Sequence, residues 1–389
     1  MYKTKTAHIE AKPNRRILVT SDVHGHTQHL TSVLETANFS ADDLLIIVGD
    51  IIEKGPDSLN TLRYVMKLCR EGRAIALMGN VDLWRLDVTE TLQDKPDNIT
   101  SYLDYLRGMR KWKGTCLFDE MCRQLGITVE TESELHEALP LVLERYSTEF
   151  DFLRSLPTAL EADKYIFVHG GLPRTELADD LTAENIGNPY NVLKYDRFLP
   201  TAREKGQCFS RYIVSGHYPV TLYAENIPSA NPIVDKATHT ISIDGGCGLK
   251  NDGQLNLLIF PTIDCDPDDI TYIYYDGFPT VTAKTAQEGS TDSINVRWGD
   301  NEVRFLSISG DIAEIEHIRT SHRLYVPVDY LYADVSSLSA GDIIRVNDCT
   351  DYLLPVRAGD RISVIRRTSH GILAKKGGVS GWYMGEIES

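Results

Sequence analysis

Five short stretches of this chain carry side chains of the kind that hold metal ions. They are SDVHGH with Asp22 and His24, VGDIIEKGPDS with Asp50, MGNVD with Asn80, VHGG with His169, and SGHYP with His217. Together they offer two carboxylates, one amide and three imidazoles, a mixed oxygen and nitrogen set suited to borderline divalent ions such as Mn, Fe, Co or Zn. Each stretch alone is weak, because a lone histidine is more often a satisfied structural residue than a ligand. Their common position is the argument: every one of them follows an apolar run.

Those runs are RILVT, LLIIV, AIALM, YIFV and YIV, with TISI as a further one, and their β-branched and apolar content reads as short strands. Strand C-termini therefore deliver the polar residues. Helical stretches lie between the first runs, among them HLTSVLETANF and DSLNTLRYVMKLCREG, in which Leu59, Leu62, Val65, Met66 and Cys69 follow helical spacing. Strand–helix–strand alternation predicts an α/β layered sheet with its site at the strand ends. From Leu83 to about Ser155 the texture becomes long, charged and helical, an expected insertion over about 84–155 with a break at DKPDN, 94–98. After about Cys265 the alternation stops, and a tail rich in Tyr, Val, Ile, Thr and Gly with turns such as YDGF, WGDN and AGD predicts a small all-β region.

The chain has 389 residues, 42% hydrophobic and 25% charged, enough for a large core and more than one domain. Its apolar runs fall far short of the roughly 18 residues a membrane span needs. The basic N-terminal stretch MYKTKTAHIEAKPNRR leads into no apolar signal segment, so a cytoplasmic location is expected, with no membrane partner. Seven cysteines without a C-x-x-C pair argue against a disulfide framework and a thiolate zinc site. A formal charge of −16 argues against nucleic acid as a partner and requires that any phosphorylated substrate be held by local cations.

The five motifs in order resemble the calcineurin-like metallophosphoesterase superfamily, over about residues 14–262. Within it they are similar to the phosphoprotein-phosphatase branch and its bacterial relatives, including diadenosine tetraphosphate hydrolases. GDIIEKGPDSL and SIDGGCG look closer to the bacterial members. The resemblance implies a layered β-sandwich core flanked by helices, with a catalytic domain over 1–265 and a β-rich region over 266–389. It makes Asp22 and His24 ligands of one metal, Asp50 the bridge between two, and Asn80, His169 and His217 the rest of the second site. Such a bridge holds two cations about 3.5–4 Å apart, where a shared hydroxide attacks phosphorus directly. Two divalent ions are therefore expected, Mn first, with Fe or Zn as alternatives.

Where the family usually carries an arginine after the bridging aspartate, this chain has Lys54, a point charge without arginine's bidentate fork. Lys54 and Asn80 are the expected phosphate-binding residues. Arg197 in YDRF is a second candidate clamp, whose bland alternative is a surface ion pair. The family's asparagine is followed by a histidine that aids the leaving group; here Val81 stands in that place. General acid help of this kind is worth about 10²–10⁴-fold, so the site is expected to be slowed rather than dead. His26, two residues beyond His24, and Asp82 are the candidates to compensate, each with a structural alternative. Substrates whose leaving groups need no proton, such as aryl phosphates or anhydrides, should suffer least.

The end of the chain resembles a bacterial SH3-like barrel at about 323–388, with Trp382 and Tyr383 as an aromatic surface for a peptide partner or as barrel core. The basic run RRTSHGILAKK reads as a solvated hairpin. The resulting expectation is a binuclear metal-dependent phosphomonoester hydrolase acting on phosphoserine and phosphothreonine in proteins or peptides, with phosphotyrosine as an accompanying substrate. One alternative is a dinucleoside polyphosphate hydrolase. The other, from a different class, is a phosphate-sensing scaffold acting through its β tail, which the retention of all six ligand-type residues opposes.

Overall fold

The apolar runs become short strands covered on both faces. A computed structural model of the protein describes residues 2–12, 14–94 and 98–388; of the expected helix break at 94–98, residues 95–97 lie outside them. Contacts divide the chain into two units. The first comprises Met1–Pro219, Pro232–Leu249 and Leu255–Tyr275, and the second Val220–Asn231, Lys250–Gln254 and Asp276–Ser389.

The first unit runs β1 (Thr6–His8), β2 (Ile17–Thr20), α1 (Thr27–Thr36), β3 (Leu44–Ile47), α2 (Ser58–Arg70) and β4 (Ala74–Ala76). Five helices follow: α3 (Asn80–Asp94), α4 (Ile99–Lys113), α5 (Leu117–Gln124), α6 (Glu132–Arg145) and α7 (Ser147–Ser155). The chain continues through β5 (Ala159–Glu161), β6 (Tyr165–Val168), short helices α8 (Ala183–Ile186), α9 (Tyr190–Leu193) and α10 (Phe198–Glu204), then β7 (Tyr212–Ser215), β8 (Ile233–Asp235), β9 (Thr240–Ser242), β10 (Leu255–Phe260) and β11 (Thr271–Tyr275). One sheet has the order β11-β10-β2-β3-β4 and the other β1-β5-β6-β7-β9-β8. In each, the motif-bearing strands pair in parallel, β2 with β3 and β3 with β4, β6 with β7.

Side-chain alternation explains why these runs are apolar throughout. Ile17, Val19, Leu44 and Ile46 pack with Tyr165, Phe167 and Val214 in the core between the sheets. Their neighbours Leu18, Leu45 and Ile47 turn the other way, onto α1 and α2 through Leu30, Val33, Leu59, Leu62 and Val65. This is the layered sandwich flanked by helices. Of the predicted α2 face, Leu59, Leu62, Val65 and Met66 are buried, whereas Cys69 is half-buried. The helical segment begins at Asn80, inside a candidate ligand motif rather than at about 84. The reason is local: the Asp82 carboxylate accepts the Gly79 amide at 3.0 Å, closing the first turn of α3 as a capping side chain does. The first unit's sheet also continues past 265, because β11 pairs antiparallel with β10.

The second unit contains a sheet of strands 280–282, 361–367, 372–376 and 379–383, and another of 323–327, 312–317, 302–309 and 343–345. The expected barrel start at 323 is not a break in pairing, since Arg323–Pro327 pairs with Ile312–His317. Trp382 and Tyr383 form no aromatic surface: both are buried. As neighbours on one strand they face opposite ways, Trp382 into one apolar core and Tyr383 into another, so that strand is covered on both sides. The basic run does form a hairpin, with Lys375 buried and Arg366 paired to Asp329. All seven cysteines are free. Among the described residues no helix is long and apolar enough to cross a membrane.

Candidate metal centre

The five motifs leave the C-terminal ends of β2, β3, β4, β6 and β7, and backbone hydrogen bonds lace their loops together. The amides of Asp22 and His24 donate to the carbonyls of Gly49 and Asp50 at 3.1 and 2.9 Å, and Gly216 donates to His169 at 2.9 Å. Asp22, His24, Asp50, Lys54 and His217 all adopt positive φ, between 48° and 69°. Such conformations cost non-glycine residues energy and persist where surrounding structure imposes them. Two glycines permit the close approach. A Cβ on Gly79 would fall 2.0 Å from the Asp50 amide nitrogen, and one on Gly216 would fall 2.2 Å from Asp22 Oδ2.

Asp22, His24 and Asp50 bring one ligand atom each to within 4.8 Å of one another, all buried. His24 Nε2 lies 3.6 Å from Asp50 Oδ2 and 3.8 Å from Asp22 Oδ1. On the other side of Asp50, His169 Nε2 lies 3.3 Å from Oδ1 and 3.0 Å from Asn80 Oδ1. Asp50 thus stands between two donor groups. The His169 and His217 rings meet edge to face at 5.2 Å, and the His217 amide donates to Asp22 Oδ2 at 3.0 Å.

The donor set fits divalent cations. His24 Nδ1 faces the Ile52 carbonyl at 3.2 Å and His169 Nδ1 the Val48 carbonyl at 2.8 Å, which presents Nε2 of both rings to the centre. His217 instead engages Asp196 Oδ1 through Nε2 at 2.8 Å, presenting Nδ1. Burial, then the Lys54 charge, holds the His24 imidazole well below its ordinary range, so it is neutral. Asp22, Asp50 and Asp244 are crowded and buried. Burial and the Asp22 charge push Asp244 well above the usual carboxylate range. Although burial opposes it, the Asp50 and Asp22 charges push the His169 imidazole up to about 10. A proton on His169 partly offsets the buried negative charge. Divalent cations would supply that compensation directly.

Of the remaining candidates, Lys54 reaches the centre, with Nζ 3.2 Å from His24 Nε2 and 4.0 Å from Asp50 Oδ2. Asp82 does not face it as an acid would. Its carboxylate accepts the amides of Ile51, Ile52 and Gly79 at 3.0–3.2 Å, pinning the loop after Asp50 to the start of α3. His26 is turned to its own loop: Nδ1 meets the His24 carbonyl at 2.8 Å and the ring packs edge to face on His29. Arg197 is exposed and paired with Glu204 at 2.9 Å. It is the preceding residue, Asp196, that touches a candidate ligand. Sequence reasoning passed over Asp196 within YDRF and Asp244 within SIDGGCG. It also missed the buried pair Arg85–Glu53, joined at 2.7 Å.

A family profile described as calcineurin-like phosphoesterase matches residues 15–240, more than half of the chain. The symmetrical bis(5′-nucleosyl)-tetraphosphatase of Aeromonas hydrophila is 43% identical over 70 residues, 18% of this chain and 25% of that protein. The enzyme of the same name from Salmonella paratyphi B is 28% identical over 186 residues, 45% of this chain and 63% of that protein. The chain thus matches less than two thirds of the length of either relative. A protein serine/threonine phosphatase structure from Saccharomyces cerevisiae superposes with a TM-score of 0.44 at 13% identity, over 71% of this chain and 85% of that one. On the profile match, the chain belongs to the calcineurin-like phosphoesterase family.

Proposed function

We propose that this protein is a binuclear metal-dependent phosphomonoester hydrolase acting on phosphoserine and phosphothreonine in proteins, and on phosphotyrosine. The observation that carries the reading is the position of Asp50 between the His24–Asp22 and His169–Asn80 donor groups. Asp22, His24 and Asp50 would hold one ion, and Asp50, Asn80, His169 and His217 the other. When bound, two divalent ions, Mn by expectation and Fe or Zn as alternatives, supply Lewis-acid polarisation of the phosphoryl group and activation of water.

The chain's own residues do the rest. Lys54, partly exposed beside Asp50, neutralises a phosphoryl oxygen as a point charge. Asn80 directs Oδ1 toward His169, which leaves its Nδ2 donors to hold a phosphoryl oxygen in this reading. Asp196 orients the His217 ring and fixes which nitrogen it presents. Val81 holds no transferable proton, so the leaving oxygen takes its proton from solvent or departs unprotonated.

The names of the Aeromonas and Salmonella relatives favour a second reading, hydrolysis of dinucleoside polyphosphates. A panel of phosphoserine peptide, phosphotyrosine peptide and diadenosine tetraphosphate, given to the full chain with Mn, separates the two. Faster turnover of the phosphopeptides supports the first reading. A preference for the dinucleotide overturns it in favour of the second.

A further inference from the structure

Beside Asn80 the first unit holds an open pocket of about 250 Å³ whose walls are aromatic rather than polar. Helix geometry builds it. Trp84 lies four residues after Asn80 on α3, so its ring stands one turn above the candidate ligand on the same face. Tyr105, Met109 and Trp112 recur on α4 at intervals of four and three residues and form the facing stripe. The Trp84 and Tyr105 rings meet at 4.4 Å with a 56° tilt, and Tyr190 adds a third side. Trp112 is 55% exposed, an unusual cost for an indole on a protein surface.

The floor of the pocket meets the chemistry. Val81 and Asn80 line it, and so do Lys54 and Lys194, two cations in a chain of net charge −16. Glu53 also borders it, but both its carboxylate oxygens face inward: Oε1 accepts from Arg85 Nε at 2.7 Å and Oε2 lies 3.5 Å from the Tyr105 hydroxyl. A ligand here would have a phosphoryl group at Lys54 and Asn80 and a flat hydrophobic group laid against the wall that Trp84, Tyr105 and Trp112 form. Aromatic rings bind such groups by stacking. Val81 points to the same substrates independently, since an aryl oxide or a phosphoanhydride leaves without a general acid.

We propose that this pocket is a leaving-group subsite for a planar aromatic group joined to the scissile phosphate, and that Trp84 and Trp112 set the preference for aromatic over alkyl phosphates. The assignment rests on the phosphohydrolase reading above. The flat group is the phenyl ring of phosphotyrosine, bonded to the scissile phosphate through its oxygen, or the base of a nucleotide leaving group, linked through ribose and phosphate; both present the same stacking face.

The test has a kinetic and a binding arm, both on the full chain with Mn. The first measures kcat/KM for phosphotyrosine peptide, phosphoserine peptide of the same sequence and diadenosine tetraphosphate, in wild type, Trp112→Ala, Trp84→Ala and Trp84→Phe. The ratio of aromatic to phosphoserine substrate should fall about tenfold in either alanine variant and recover in Trp84→Phe. Which aromatic substrate loses identifies the ring. The second arm follows tryptophan fluorescence with phenylphosphonate and methylphosphonate, and predicts quenching by the phenyl compound alone. A ratio unmoved by both alanine variants, or equal response to the two phosphonates, overturns the subsite. Absence of any hydrolysis by wild type sinks the phosphohydrolase reading instead, and the fluorescence arm still decides the pocket.

Discussion

The backbone amide of Val81 donates to Asp50 Oδ1 at 2.9 Å, so the residue that lacks a proton-transfer side chain still positions the central carboxylate. That main-chain contact does not depend on which side chain position 81 carries. Substituting that side chain should therefore alter leaving-group chemistry without disturbing the donor cluster.

Val81→His should raise turnover of phosphoserine peptides more than that of nitrophenyl phosphate, whose leaving group departs unaided. The gain should be roughly tenfold rather than thousandfold, because a new imidazole lacks a partner to hold it. Glu53, which borders the same pocket, is already engaged by Arg85 and by the Leu117 amide, and the adjacent Asp82 by the Ile51 and Gly79 amides. Parallel rate measurements on the two substrates check this, and an equal change on both would show that the acid has been rebuilt elsewhere.

Asp50→Asn should abolish hydrolysis and lower bound metal more than any other single change among the six candidates. Metal analysis of the purified variants reads it directly. Retention of two ions and near-normal turnover would remove Asp50 from its bridging role.

Asp82→Ala should destabilise the protein by about 3 kcal/mol or more, since it strands the buried amides of Ile51, Ile52 and Gly79. Asp82→Asn, which keeps one acceptor oxygen, should lose markedly less. Urea unfolding of the three proteins measures the difference. Equal stability of all three would mean that the loop after Asp50 is held by other contacts.

Arg85→Met should cost on the order of 3–5 kcal/mol by leaving Glu53 buried and unpaired, and Glu53→Gln in the same chain should restore part of it. Additive losses in that double-mutant cycle would contradict a coupled pair.

Glu120 gives a pH dependence remote from the candidate ligands. Burial pushes its carboxyl up to about 7 from an ordinary value of about 4.5, against hydrogen bonds from the Leu59 and Ser58 amides. The folded protein therefore keeps a proton that the unfolded chain releases. This contribution is fully present below about pH 4.5 and is lost as pH rises through about 7. Relative to Glu120→Gln, wild type should lose on the order of 1–3 kcal/mol across that window. Matching pH profiles for the two would show that Glu120 titrates normally.

Much of the core was legible because parallel strands between two layers must be apolar at every position, which makes runs such as LLIIV stand out and marks the polar residues that follow them. The six candidate donors stand out together in the sequence for that reason. Asp196 did not, because in YDRF the arginine is the conspicuous charge; the positive φ of Arg197 marks a sharp turn, and Glu204 takes up its guanidinium. The pocket was invisible for a different reason: Trp84, Tyr105, Trp112 and Tyr190 sit on three helices, and no periodicity joins them. In the tail, turn signals located strands but could not say that 323–327 pairs with 312–317, since pairing between β-strands is non-local.

Metal-dependent phosphate hydrolysis at the Asp50 centre can be read most directly by stripping the full chain with chelator, titrating Mn back, and measuring phosphate release from phosphoserine and phosphotyrosine peptides and diadenosine tetraphosphate. The stripped protein should be silent, activity should rise to a plateau near two equivalents of Mn per chain, and Asp50→Asn should show no rise. Release that persists unchanged in chelator, or that never appears with Mn, Fe or Zn on any of the three substrates, would contradict it.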